Sequence, residues 1–231
     1  MDANEINSYG QEFIEYLKLT TSPVAVKLIS KGGEIPAGVK RVDIGMTHCQ
    51  FIDRVRRTGE EFYTLGEDQM CKIGAGTMGL NEIPPEVFSG ESYHKEFKLF
   101  STQGSARRTV EKISILPSDS VESIMYSPLE DASFVPDVAV FICNPKQAML
   151  LIQAYMYKSG GKLETSFAGA QSLCSESLVH VYKDGRLGVS VGCIGSRGIT
   201  EMEDEEMIMG IPVELMADVV SGLKEICPKK N

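Results

Sequence analysis

Apolar residues recur along this chain at two periods. Near the N-terminus Ile6, Phe13, Ile14, Tyr16 and Leu17 fall at helical spacing, which predicts a helix over residues 4–18. Pro23-Val24-Ala25-Val26-Lys27-Leu28-Ile29 then reads as a strand, and Gly32-Gly33 with Pro36 as a loop. Thr47-His48-Cys49-Gln50 is a capping box, so a helix is expected over about 48–58, ending before Gly59. A short strand follows at Phe62-Tyr63-Thr64-Leu65. Cys71 to Gly79 reads as a helix of small residues, whose glycines suit close approach to a backbone or ligand. Pro84-Pro85-Glu86 opens a short helix, residues 91–103 look irregular, and a helix runs from Ser105 to about Ile113.

The second half alternates strands and helices. Ser123-Ile124-Met125-Tyr126 is a strand, and Asp137 to Cys143 is apolar on both faces, as in a central buried strand. Asn144-Pro145 caps a helix reaching about Tyr157 before Gly160-Gly161. Leu187-Gly188-Val189-Ser190-Val191 is another strand. Met207-Ile208-Met209 leads through Ile211-Pro212 to a last helix, with Leu215, Met216, Val219, Val220, Leu223 and Cys227 on one face. The two strand–turn–helix segments, from Val140 and from Met207, suggest an internal repeat. The expectation is an α/β (or α+β) fold with a mixed sheet flanked by helices. With 231 residues it forms a single domain, 1–231, or two lobes (about 1–116 and 117–231) sharing one core.

Composition narrows the function. A net charge of -9 argues against a nucleic-acid partner. Arg54, Arg56 and Arg57 read as a solvated helix face, and Glu201 to Glu206 as a solvated acidic loop. Residues 1–12 are polar, so no signal peptide is expected, and no apolar stretch approaches the length of a membrane span. A cytoplasmic location follows, where six cysteines read as thiols or ligands rather than disulfides.

Two cysteines look structural: Cys143 ends the buried strand, and Cys227 extends the last helix's apolar face. Cys49, Cys71 and Cys174 fall beside helix-start signals, and Cys193 ends a strand between Gly192 and Gly195. The first turn of a helix presents unpaired N–H groups, which favour the thiolate, the form that attacks and that binds metal. Four thiolates suit tetrahedral zinc or a [4Fe–4S] cluster, although no CxxC spacing links them. His48 adjoins Cys49 as a candidate donor or substitute ligand, with a capping-turn histidine the plain alternative; His94 and His180 read as ordinary. Arg197, in Gly195-Ser196-Arg197-Gly198, is the candidate contact for a small anionic ligand. There is no P-loop, no GxGxxG after a strand, and no HExxH.

A set of ordered motifs runs through most of the chain. They include His48-Cys49-Gln50, Asp68-Gln69-Met70-Cys71-Lys72-Ile73-Gly74-Ala75, Asn144-Pro145-Lys146-Gln147-Ala148-Met149, Ser166-Phe167-Ala168-Gly169, Gly192-Cys193-Ile194-Gly195-Ser196-Arg197-Gly198 and Asp204-Glu205-Glu206-Met207. Over roughly residues 10–225 the chain resembles the prokaryotic family called domain of unknown function 169. The resemblance implies cysteines at the positions of Cys49, Cys71, Cys174 and Cys193. It also implies a further cysteine in some relatives where this chain has Ser196.

The leading expectation is an iron–sulfur redox protein. Cys49, Cys71, Cys174 and Cys193 hold one [4Fe–4S] cluster, for electron transfer with a redox partner protein or for chemistry on a small ligand near Gly74, Gly76, Gly195 and Arg197. Zinc on the same thiolates, in a structural or ligand-binding module, is one alternative. A metal-free thiol enzyme with Cys71 as nucleophile is the other. A homodimer is the base-rate expectation.

Overall fold

Side-chain alternation decides how the sheet is filled. In β1 (Val24–Ser30), Val24, Val26 and Leu28 pack into one core layer while Ala25 and Ile29 pack into the other. In β5 (Val138–Cys143) Val138, Val140 and Ile142 share the first layer, and Ala139, Phe141 and Cys143 the second. In the computed structural model, which describes residues 1–227, these strands lie inside one seven-stranded mixed sheet. The others are β2 (Lys40–Arg41), β3 (Phe62–Leu65), β4 (Val121–Pro128), β6 (Gly188–Ser190) and β7 (Met207–Pro212).

The order is β2-β3-β4-β1-β5-β7-β6. Only β2 and β3 run parallel; every other neighbouring pair is antiparallel. β1 lies between two strands from the second half of the sequence, pairing Val24 with Pro128 on one side and with Val140 on the other. The fold is α/β.

One face of the sheet carries α1 (Ala3–Leu17), α6 (Pro145–Met156) and α9 (Met216–Ile226). α1 starts on a capping box from Asp2 and Glu5, and α6 on one from Asn144 and Gln147. The two expected strand–turn–helix segments stand side by side here. β5 pairs with β7 from Val138↔Pro212 to Cys143↔Met207, and α6 packs on α9. Cys143 lies in this core, and burial pushes its thiol up to about 12.

The opposite face carries α2 (His48–Thr58), α3 (Lys72–Thr77), a π-helical segment Ser172–Val179 that runs on into α7 (His180–Asp184), and α8 (Ile194–Ile199). The π-helical segment lies directly on the sheet. A side chain at Gly210 would meet the Ser177 carbonyl oxygen at 2.1 Å, and one at Gly188 the Glu176 oxygen at 2.4 Å. Only glycines let backbone approach backbone so closely. α4 (Pro85–Phe88) and α5 (Gln103–Val110) form a small third cluster with Tyr93 and Ala170.

Three local expectations are corrected. Residues 92–96 form a π-helical turn rather than irregular chain. Arg56 is buried, paired with Asp53 at 2.7 Å and Glu206 at 3.1 Å, so it is no solvated face. The acidic loop supplies Glu206 to that pair and buries Met202.

Candidate functional site

The four cysteines of the sequence reading come from four separate elements. Cys49 is the second residue of α2, behind the capping box of Thr47 and Gln50. Cys71 is the N-cap of α3, its sulfur accepting from the Gly74 N–H at 3.3 Å. Cys193 is the N-cap of α8, its sulfur accepting from the Ser196 N–H at 3.4 Å. Ser196 returns the bond through its hydroxyl to the Cys193 N–H at 2.9 Å, so Cys193-Ile194-Gly195-Ser196 is a capping box with sulfur in the hydroxyl's place. Cys174 is the third residue of the π-helical segment, after Gln171 in the left-handed region at φ 55°. π-helical backbone is rare and frequently marks functional sites.

All four sulfur-bearing residues line one cavity of about 160 Å³. Its lining contains no Asp, Glu, Lys, Arg or His; Ile73, Tyr93, Phe97, Leu99, Ile194 and Ile199 supply the apolar surround. Cys71 is exposed at the mouth, Cys49 and Cys193 are half-buried, and Cys174 is buried. Burial pushes the Cys49 and Cys174 thiols well up; charge on Cys193 and Cys71 would push Cys49 further, and charge on Cys49, Cys71 and Cys193 would push Cys174 further. At Cys193 burial also raises the thiol, but hydrogen bonds from Ser172 and Ser196 outweigh it and hold the group below its ordinary value. Among the described residues no three His, Cys, Asp or Glu side chains stand close enough to hold a single metal ion.

A family model described as "Uncharacterised ArCR", domain of unknown function 169, matches residues 12–222. The chain belongs to the domain of unknown function 169 family. An uncharacterized protein of Methanocaldococcus jannaschii is 32% identical over 224 residues, covering 97% of this chain and 96% of that one. No solved structure matches the chain.

In this family member the glycines divide. Gly74 and Gly195 line the cavity: a side-chain carbon at Gly74 would stand 3.4 Å from the Cys71 sulfur and 3.8 Å from the Cys174 Cβ. Gly76 faces Ile83 instead, where a Cβ would come within 2.4 Å, so its role is packing. Arg197 does not line the cavity. Its guanidinium donates to the carbonyls of Val191 (3.0 and 2.8 Å), Glu203 (2.6 Å) and Glu206 (2.5 Å). The expected anion contact at Arg197 thus gives way to a clip joining α8 to the acidic loop. His48 is buried against Tyr126, its Nδ1 2.8 Å from the phenol oxygen, and burial pushes it down to about 4. His48 does not line the cavity, so it is not placed to act as a ligand there.

Sequence reasoning missed Gln171, Tyr93 and Ser172, and met Ser196 only as a position where some relatives carry cysteine. Gln171 donates to the Tyr93 hydroxyl at 2.9 Å and meets the Thr77 hydroxyl, tying the π-helical segment to α3. Ser172 and Ser196 lie 3.1 Å apart behind Cys193. The Cys-x-x-Ser spacing was the local signal for the capping role of Ser196. No helix among the described residues is long and apolar enough to cross a membrane.

Proposed function

We propose that this protein is a redox protein holding one [4Fe–4S] cluster on Cys49, Cys71, Cys174 and Cys193. The observation that carries this reading is their convergence on a single cavity from four different elements. Burial first, and charge on neighbouring cysteines second, disfavour the thiolate at Cys49 and Cys174, and a cationic centre between the four sulfurs offsets both costs.

Size favours a cluster over zinc. Zinc–sulfur bonds of about 2.3 Å set neighbouring sulfurs only about 3.8 Å apart, which leaves no cavity between them. Here the four cysteines share the lining of a cavity of about 160 Å³, and among the described residues no three of them stand close enough to hold a single ion. When bound, a cluster supplies one-electron chemistry. The chain's own contribution is to exclude water with Ile73, Phe97 and Leu99 and to aim the Gly74 and Ser196 N–H groups at sulfur. Exchange with a redox partner would take place over the mouth, where Phe97, Ile194 and Ile199 are exposed. Six free thiols fit a cytoplasmic location.

Anaerobic purification followed by iron and sulfide reconstitution tests this. The expected result is a coloured protein with about four irons per chain, lost in Cys174→Ser. Colourless, iron-free protein after reconstitution sinks the reading. About one tightly held zinc per chain would replace it with the zinc module.

A further inference from the structure

A second cavity, of about 470 Å³, lies across one loop from the cysteines. The loop Ser166–Gln171 has a side for each: Ser166, Phe167 and Ala168 line this cavity, and Gly169, Ala170 and Gln171 line the cysteine cavity. The chain from Phe97 to Phe100 divides in the same way.

Two cations line the second cavity without acidic partners. Arg108 of α5 donates to the Ser105 hydroxyl at 3.2 Å, and neither it nor Lys112 has an ion pair among the described residues. Their neighbour Arg107, by contrast, is paired with Glu111 at 2.8 Å. The acid in the lining, Glu176, is turned inward. It accepts from the Ala168 N–H at 2.5 Å and from the Ser190 hydroxyl. His180 stands 3.3 Å from Asp184. The rest of the lining supplies hydroxyls and two rings, Phe100 and Phe167.

We infer that this cavity binds a small organic anion. Its carboxylate or phosphate group is held by Arg108 and Lys112, and its apolar body rests against Phe100 and Phe167. An open cavity with unpaired cations at one place and aromatic surface at another discriminates both by charge and by shape. The small anionic ligand expected beside Arg197 therefore has its cations here. A molecule so placed stands one loop from the four sulfurs, where a redox substrate would sit. That link rests on the cluster reading, whereas the binding itself does not.

Calorimetric titration with phenyl phosphate and with inorganic phosphate tests the binding, on the purified full chain whatever its metal content. Phenyl phosphate should bind saturably and more tightly than inorganic phosphate. Arg108→Ala and Lys112→Ala should each weaken it about tenfold or more, as loss of a charged hydrogen bond does. Arg107→Ala should leave it unchanged. Both target side chains are exposed, so the variants fold. Equal affinity for the two probes, no saturable binding, or binding untouched in the Arg108→Ala/Lys112→Ala double variant overturns the inference. A preparation that stays colourless and iron-free after anaerobic reconstitution, yet binds phenyl phosphate in this way, sinks the cluster reading and leaves this one standing.

Discussion

The two faces of the sheet are built on different principles. On one, α1, α6 and α9 run for 15, 12 and 11 residues, and α1 and α6 begin on capping boxes of ordinary side chains. On the other, Cys49 sits in α2, which has 11 residues and an ordinary capping box, but α3 and α8 have six residues each and begin on cysteine, and Cys174 sits in π-helical backbone. Long helices satisfy their own backbone and offer a broad apolar stripe, which suits packing. Short elements leave a large share of their N–H groups unpaired, and each can point one side chain from a separate direction. The fold thus places its regular packing on one face, and converges its sulfurs on the other.

If the faces have separate roles, damage to the regular one should leave the site intact. Phe141 meets Phe13 edge-on at 5.0 Å in that core. Phe141→Ala should cost about 3–5 kcal/mol in urea unfolding, with the iron bound per folded chain unchanged. A fall in iron alongside stability would show the faces to be coupled.

A pair of glycines sharpens the comparison. A Cβ at Gly222 would meet the Ala154 carbonyl oxygen at 2.3 Å where α9 crosses α6, and one at Gly210 would meet that of Ser177 at 2.1 Å. Backbone cannot swing aside as a side chain can, so Gly222→Ala and Gly210→Ala should each cost about 1–3 kcal/mol. Only Gly210→Ala should also lower reconstituted iron, because it lifts the segment that carries Cys174. Equal iron in the two variants would detach the site from the way that segment is seated.

Legibility in the sequence follows the same division. β1, β5 and the capped helices α2 and α6 are readable because period and cap chemistry are local. The helix-start position of Cys71 is readable too, through adjacent turn and glycine signals, whereas Cys193, which reads as a strand end, is the N-cap of α8 because β6 stops at Ser190. The π-helical segment is not, since a serine-rich run such as Ser172-Leu173-Cys174-Ser175 carries neither period, and its backbone is set by Gly188 and Gly210 far along the chain. Arg56 looks solvated in sequence because its partner Glu206 is 150 residues away. Arg197 looks like an anion contact because a guanidinium beside glycines gives no sign of the carbonyls that occupy it.

Cysteine itself differs between the faces. Cys143 is buried among apolar side chains, and its thiol ionises near 12 in the folded chain against an ordinary value near 9. Between these values the folded state keeps a proton that the unfolded state has lost. Its stability therefore falls as pH rises, by about 1.4 kcal/mol per pH unit from this group. Cys143→Ala should cost about 1 kcal/mol at neutral pH and flatten the alkaline decline above pH 9. Urea midpoints across that range check it; an unchanged slope would mean that the Cys143 thiol is not held neutral.

The smallest expected change in stability is at the sulfur caps, where the change in chemistry is the largest. Cys71 and Cys193 accept from the Gly74 and Ser196 N–H groups at 3.3 and 3.4 Å. A serine hydroxyl accepts the same bond at least as well, because sulfur is the weaker acceptor and serine a preferred N-cap. Cys71→Ser and Cys193→Ser should hold stability within about 0.5 kcal/mol in urea unfolding of the metal-free chain, and should abolish assembly of a complete cluster. Loss of fold in either variant would make the sulfur structural. Full iron in both would leave the capping role as the reason for these two cysteines, and would confine the chemistry to Cys49 and Cys174.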